Sequence, residues 1–288
     1  VRDNIVSLVT PFDEKEEINF DALYQLLDFQ IKNGIKNFWI LGTSGEFNML
    51  NLDEKILLVT EIRERINGKI YAGINENSTR NSLLLAKKFY DIGVDFIFSI
   101  PPLYHRPSEK GLILYFSELR KIDLPLYLYN IPSYTGYNIN LETIEKMIRD
   151  GILDGMKYTT SDFVKFLEYL NNLKSISNKF KIFIGEDRMI LQALISGADG
   201  AVSGVANVVP ELVNNLYLEF ERNNIQKAIE LQLIINKLAN VLNIGDYPSG
   251  LKIGLKYRGI NVGKVRKPLM EDSRAEGEIY NMLKELGL

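Results

Sequence analysis

Cysteine is absent from the chain, and histidine occurs once, at His105. Without cysteine there are no disulfides, no thiolate nucleophile and no cysteine-bound zinc. One histidine leaves no imidazole cluster for a metal and a single candidate imidazole base. No apolar run reaches the roughly 18 residues of a membrane span. No block of like charge stands out: 34 basic residues face 37 acidic ones, for a net charge of -3. That balance offers no electrostatic footprint for nucleic acid or a membrane surface. The first residues, Val1-Arg2-Asp3-Asn4, show no apolar leader segment. A cytoplasmic enzyme or binding protein is the expectation. The chemistry left open is that of lysine, carboxylate and tyrosine, the last present 15 times.

What is there is an ordinary globular mixture, 46% hydrophobic and 25% charged. Its 288 residues suffice for a large core. Short apolar runs alternate with amphipathic stretches of helical period. Strands are predicted at 5–9, 38–41, 70–74, 96–99, 125–129, 154–157, 181–184 and 200–203. Between and after them, helices are predicted at 20–32, 53–66, 79–92, 108–121, 141–150, 161–173, 187–196 and 210–222. Asn19 stands where a helix cap belongs, and Gly34, Gly93, Gly151 and Gly197 stand where helices should stop. Eight regular β–α units predict an α/β fold of the (β/α)8 TIM-barrel type rather than an open doubly wound sheet. Helical stretches at 225–243, 249–258 and 276–286 follow with no strands between them. They predict a C-terminal helical extension, so the expected division is a barrel over 1–224 and a helical region over 225–288.

In such a barrel, chemistry sits at the carboxyl ends of the strands. The second strand runs into Gly42-Thr43-Ser44-Gly45-Glu46, a turn whose hydroxyls and amides suit a carboxylate. The turn lacks the Lys-Ser/Thr ending of a phosphate loop. The fourth strand leads into Pro101-Pro102-Leu103-Tyr104-His105-Arg106-Pro107. The fifth ends in Tyr129, the seventh in Gly185-Glu186-Asp187, and the eighth in Val202-Ser203-Gly204. The sixth ends in Lys157, followed by Tyr158, Thr159 and Thr160. A lysine there points into or just above the core, where burial favours the neutral amine. A neutral amine attacks a ketone and gives an iminium, an electron sink for an adjacent carbon–carbon bond. The alternatives are a lysine snorkelling to the rim or paired with a carboxylate. Tyr129 is either a proton carrier for such chemistry or a core tyrosine. Glu46 and Asp187 are expected as rim carboxylates or helix caps, Asp187 more as a cap.

Taken together, these residues resemble the class I, pyruvate-dependent aldolases of the dihydrodipicolinate synthase and N-acetylneuraminate lyase superfamily. The likeness runs from Thr10-Pro11-Phe12 to Arg266-Lys267-Pro268. Its specific parts are Gly42-Thr43-Ser44-Gly45-Glu46, Tyr129-Asn130-Ile131-Pro132 with Thr135-Gly136, and Gly155-Met156-Lys157. The resemblance implies that Lys157 is the Schiff-base lysine, with Tyr129 as proton shuttle and Thr43 as its relay. It implies that Ser44 and Gly45 hold the pyruvate carboxylate, with Val202 and Gly185 lining the pocket. Tyr104 matches a tyrosine that reaches into a neighbouring subunit's site. Thr159 and Tyr134 are expected to meet the rest of the substrate. No metal and no external cofactor are implied, the lysine Schiff base being covalent. A homotetramer, a dimer of dimers, is implied as well.

One position departs from the lysine-pathway synthases. They carry arginine where this chain has Tyr134, between Pro132-Ser133 and Thr135-Gly136. A phenol does not replace a bidentate guanidinium on a carboxylate. The expectation is therefore reversible cleavage of a 2-keto-3-deoxy sugar acid, such as 2-keto-3-deoxygluconate, to pyruvate and an aldehyde. Ile131, where phosphate-accepting members add a tyrosine, makes a phosphorylated substrate less expected, although Arg106 matches one arginine of that site. Two alternatives stay open: dihydrodipicolinate synthase itself, which condenses pyruvate with aspartate semialdehyde, and a non-catalytic keto-acid-binding protein.

Overall fold

The computed structural model describes residues 2–288; Val1 lies outside the described residues. Eight parallel strands close on themselves in chain order: β1 (Asp3–Ser7), β2 (Asn37–Ile40), β3 (Lys69–Gly73), β4 (Phe96–Ser99), β5 (Leu126–Asn130), β6 (Gly155–Tyr158), β7 (Lys181–Ile184) and β8 (Gly200–Ser203). Closure is made by β1, which pairs Ile5 with Asn37 of β2 and with Val202 of β8. The strands read as apolar runs because both faces are covered: one faces the barrel interior, the other the helices. All five residues of β5 are buried for that reason.

The helices are α1 (Phe20–Lys32), α2 (Leu52–Arg65), α3 (Thr79–Ile92), α4 (Glu109–Leu119), α5 (Pro132–Thr135), α6 (Leu141–Arg149), α7 (Phe163–Ile176), α8 (Ile190–Ile195) and α9 (Pro210–Glu221). Their starts follow from side-chain chemistry. Asn19 Oδ1 accepts the Ala22 N–H at 3.0 Å and fixes the first turn of α1. Leu23, Leu26 and Leu27, at helical spacing, then bury one face. At α2, Asn51 and Glu54 exchange side-chain and backbone bonds in a capping box.

Aromatic rings fill the barrel interior. Tyr71 of β3, Tyr127 of β5 and Phe183 of β7 pack together across its lower part, with centroids 5.4–5.9 Å apart. Above them Trp39 stacks on Phe98 at 3.7 Å, and both meet the edge of Tyr129. That platform is the floor under Lys157.

Three helices follow the barrel: α10 (Ile225–Leu242), α11 (Ser249–Tyr257) and α12 (Ser273–Glu285). The first packs on α9 and α12, and the second on α12. A buried ion pair joins this stretch to the turn after β2. Lys252 Nζ lies 2.7 Å from Glu46 Oε1, both side chains shut off from water. The Arg266 N–H donates to Glu46 Oε2 at 2.8 Å, and its guanidinium pairs with Glu54. Burial pushes the Lys252 ammonium down to about 8, against the pull of Glu46.

The expected strands and helices are all present, with ends moved by at most three residues. Two local features differ. Residues 132–135 form a helical turn, α5, where only a loop was expected; Pro132 occupies its first position with φ already suited to a helix. The predicted helix at 187–196 is a 3-10 turn over Asp187–Met189 followed by the shorter α8. The carboxylate expectations also need correction. Glu46 is neither a rim group nor a cap, because Lys252 and Arg266 hold it inside. Asp187 lies at the rim, one of its two expected places, and does not cap its own helix, where Glu186 takes the cap position. It accepts from Ser203 Oγ and from the Gly204 and Val205 N–H groups at 3.0 and 3.2 Å, bracing the turn after β8.

Candidate active site

A cavity of about 350 Å³ opens at the carboxyl end of the barrel. Six of the eight strand ends contribute, all but those of β3 and β4, by the register that closure imposes. Lys157 on β6 sits directly beside Tyr129 on β5 and Phe183 on β7. The residue is only 3% exposed, with Nζ 4.2 Å from the Tyr129 ring centre and 5.3 Å from that of Trp39. Lys157 is therefore no rim lysine. Among the described residues no carboxylate pairs with it, whereas the buried Lys252 and Lys55 each have one.

The groups around the amine are hydroxyls. Thr43 Oγ1 and Tyr129 Oη are 3.1 Å apart, so a proton on the phenol has a direct path to the threonine. Ser44 Oγ donates to Ser7 Oγ at 3.0 Å and lies 2.7 Å from Tyr247 Oη. The amides of Gly45 and Glu46 close the turn on the carbonyls of Gly42 and Thr43. Thr159, Gly185 and Val202 line the cavity wall. Thr159 Oγ1 is buried with no partner among the described residues, a polar atom open to a ligand. Tyr134 stands at the mouth, 58% exposed, and desolvation raises its phenol above the usual range. Desolvation also pushes the Asp187 carboxyl up to about 6, against the bonds from Ser203, Val205 and Gly204.

Most of the predicted residues converge: Lys157, Tyr129, Thr43, Ser44, Tyr134, Thr159, Gly185 and Val202 share one cavity. Two do not. Gly45 lies behind the wall, its carbonyl occupied by the Thr10 hydroxyl at 2.7 Å. Tyr104 is 95% exposed, held with φ at +67°, and outside the cavity of its own chain. His105 stacks edge-on against Tyr104 and is likewise outside. Several wall residues were not anticipated: Ser7, Arg188, Asn240, Asn243 and Tyr247. Arg188 at the mouth is held by Glu186 through two bonds, of 2.7 and 2.9 Å. The last three come from the C-terminal stretch, where no local pattern marks them.

An amine sunk among aromatic rings, beside a phenol–threonine pair and a hydroxyl-rich turn, is equipped to form an iminium with a keto acid and to move a proton next to it. On a closed (β/α)8 barrel this is the equipment of a carbon–carbon lyase. Comparison with known proteins narrows the class. Residues 1–285 match the dihydrodipicolinate synthetase family, and the chain belongs to it. It is 32% identical to the 4-hydroxy-tetrahydrodipicolinate synthase of Karelsulcia muelleri, over 97% of either chain. The crystal structure of dihydrodipicolinate synthase from Thermotoga maritima superposes with a TM-score of 0.94 at 27% identity, covering 99% of this chain and 98% of that one. A Sulfolobus solfataricus 2-keto-3-deoxygluconate aldolase variant, in complex with L-2-keto, 3-deoxy-galactonate, gives 0.90 at 25% identity, covering 98% and 95%. Members of the family make or break carbon–carbon bonds with pyruvate, so the chain is an enzyme of that kind.

Proposed function

We propose that the enzyme reversibly cleaves a 2-keto-3-deoxy sugar acid to pyruvate and an aldehyde. Lys157 Nζ attacks the C2 carbonyl, and loss of water gives the iminium. Tyr129, which gave its proton to that departing water, takes the proton of the C4 hydroxyl as a phenolate, relayed through Thr43. The C3–C4 bond breaks, its electrons pass to the iminium nitrogen, and the aldehyde leaves. The resulting enamine is protonated at C3, and hydrolysis releases pyruvate and the free lysine. Ser44, with those nearby amides that the turn's own bonds leave free, holds the C1 carboxylate, and Thr159 meets the sugar hydroxyls. The catalysis uses no metal and no external cofactor. The reacting groups come from 1–224 and part of one wall from 225–288, in a cytoplasmic homotetramer built as a dimer of dimers.

Tyr134 carries the choice of second substrate. A semialdehyde with its own carboxylate calls for a free guanidinium in the wall. The cationic side chains lining the cavity are Lys157, which reacts, and Arg188, whose guanidinium is taken up by Glu186. Neutral amides and hydroxyls, from Ser133, Tyr134, Thr159, Asn240 and Asn243, suit a polyhydroxylated aldehyde better. A second reaction, condensation of pyruvate with aspartate semialdehyde, is favoured by the names of the similar curated relatives. The two are separated by measuring pyruvate release from a panel of 2-keto-3-deoxy sugar acids alongside condensation with the semialdehyde. A kcat/KM for the semialdehyde above that for every sugar acid would overturn the first assignment in favour of the second.

A further inference from the structure

The turn Gly42–Glu46 is tied to the C-terminal stretch at two points. One is Glu46, held by the Lys252 ion pair and by the Arg266 N–H. The other is polar and faces the cavity: Tyr247 Oη lies 2.7 Å from Ser44 Oγ. Ser44 gives its only proton to Ser7 Oγ at 3.0 Å, which makes Tyr247 the donor in the 2.7 Å bond. The tyrosine reaches this place because residue 204 is glycine; a Cβ there would stand 2.8 Å from the Tyr247 hydroxyl. Desolvation raises the Tyr247 phenol well above its usual range, so it remains a donor at every working pH.

We propose that Tyr247 is a positioning residue for the substrate carboxylate: its hydroxyl donates to Ser44 Oγ, so that the one Ser44 proton, which Ser7 Oγ accepts here, can turn to the carboxylate while Ser44 stays held by the phenol. This rests on Ser44 being the carboxylate holder. A hydroxyl that accepts one bond is a stronger donor in the next, so the pair acts cooperatively. The nearby ion pair holds the backbone in place without the phenol, and Tyr247→Phe removes one oxygen only.

The test compares the wild type, Tyr247→Phe, Ser44→Ala and the double variant. Each is trapped with borohydride on Lys157, using pyruvate and its methyl ester, which keeps the ketone and lacks the charge. Loss of a hydrogen bond that serves a charged group weakens pyruvate trapping by about tenfold. Tyr247→Phe is expected to show that loss with pyruvate and none with the ester. The double variant should be no worse than Ser44→Ala alone, since the two act in series. Equal losses with ester and acid would mean a general structural role and overturn the proposal, as would an unchanged Tyr247→Phe. If Ser44→Ala itself fails to discriminate acid from ester, the carboxylate assignment of Ser44 falls and Tyr247 with it. If Ser44→Ala discriminates and Tyr247→Phe does not, only the role of Tyr247 falls.

Discussion

Gly185 is the position where a single methyl group tests the site most directly. It follows β7, with its Cα facing Lys157 and Thr159. A Cβ built there overlaps Thr159 Oγ1 and stands 2.7 Å from Lys157 Cε. Carbon–carbon contacts settle at about 3.5–4.0 Å, so in Gly185→Ala the lysine stem must yield by about 1 Å. A displacement of about 1 Å at a reacting centre lowers the rate by roughly 10²-fold, equivalent to about 2.7 kcal/mol in the barrier. The fold itself should suffer less. Overpacking of this kind costs about 1–3 kcal/mol, and Thr159 can rotate away. The assay is the initial rate of borohydride-dependent mass gain with pyruvate, with a thermal melt of each protein beside it. The expected result is a rate down by about 10²-fold in a protein that still melts cooperatively. A trapping rate within about twofold of wild type would show that the Lys157 amine is not confined as the geometry implies.

Three further outcomes are expected of the same structure. Lys157→Ala should give no pyruvate adduct by intact mass, whereas Tyr129→Phe should keep the adduct and lose about 10²–10⁴-fold in cleavage; an adduct on the alanine variant would move the nucleophile elsewhere. Lys252→Met strands the Glu46 carboxylate in the interior and should cost about 3–5 kcal/mol, with Tm falling by about 10 °C. The pair Glu46→Gln with Lys252→Met should recover most of that, and a single variant that melts like wild type would remove the clamp from consideration. Asp187 has its carboxyl raised from 3.8 to about 6, so the folded chain holds this proton more tightly than the unfolded one. Its contribution is full below about pH 4 and is lost as pH rises through 6, a change on the order of 3 kcal/mol. Urea unfolding of Asp187→Asn should therefore show stability relative to wild type that increases from pH 4 to 7; a constant difference would contradict the assigned pKa.

Much of the fold is legible in the amino-acid sequence. Alternating apolar runs and helical periods placed all eight strands, because burial on both faces writes an apolar run into each of them. Asn19 marked the start of α1 through groups adjacent in sequence. Of the site, Lys157, Tyr129, Thr43 and Ser44 were legible because a barrel delivers strand ends to one rim. Glu46 was not. Its charge suggested a rim, and only the arrival of Lys252 and Arg266 explains its burial. Asp187 was mistaken for a cap because its acceptors' partners lie 16 to 18 residues further on.

The amino-acid sequence alone determined the periodicities, the helix starts and the residue types at each strand end, all of which depend on neighbours within a few positions. Tertiary structure decided which of those groups meet. Closure set Lys157 beside Tyr129 and above Trp39, and brought Tyr247 to Ser44 across 203 residues of chain. Such partnerships depend on how elements pack, and packing distance leaves no mark on local sequence pattern.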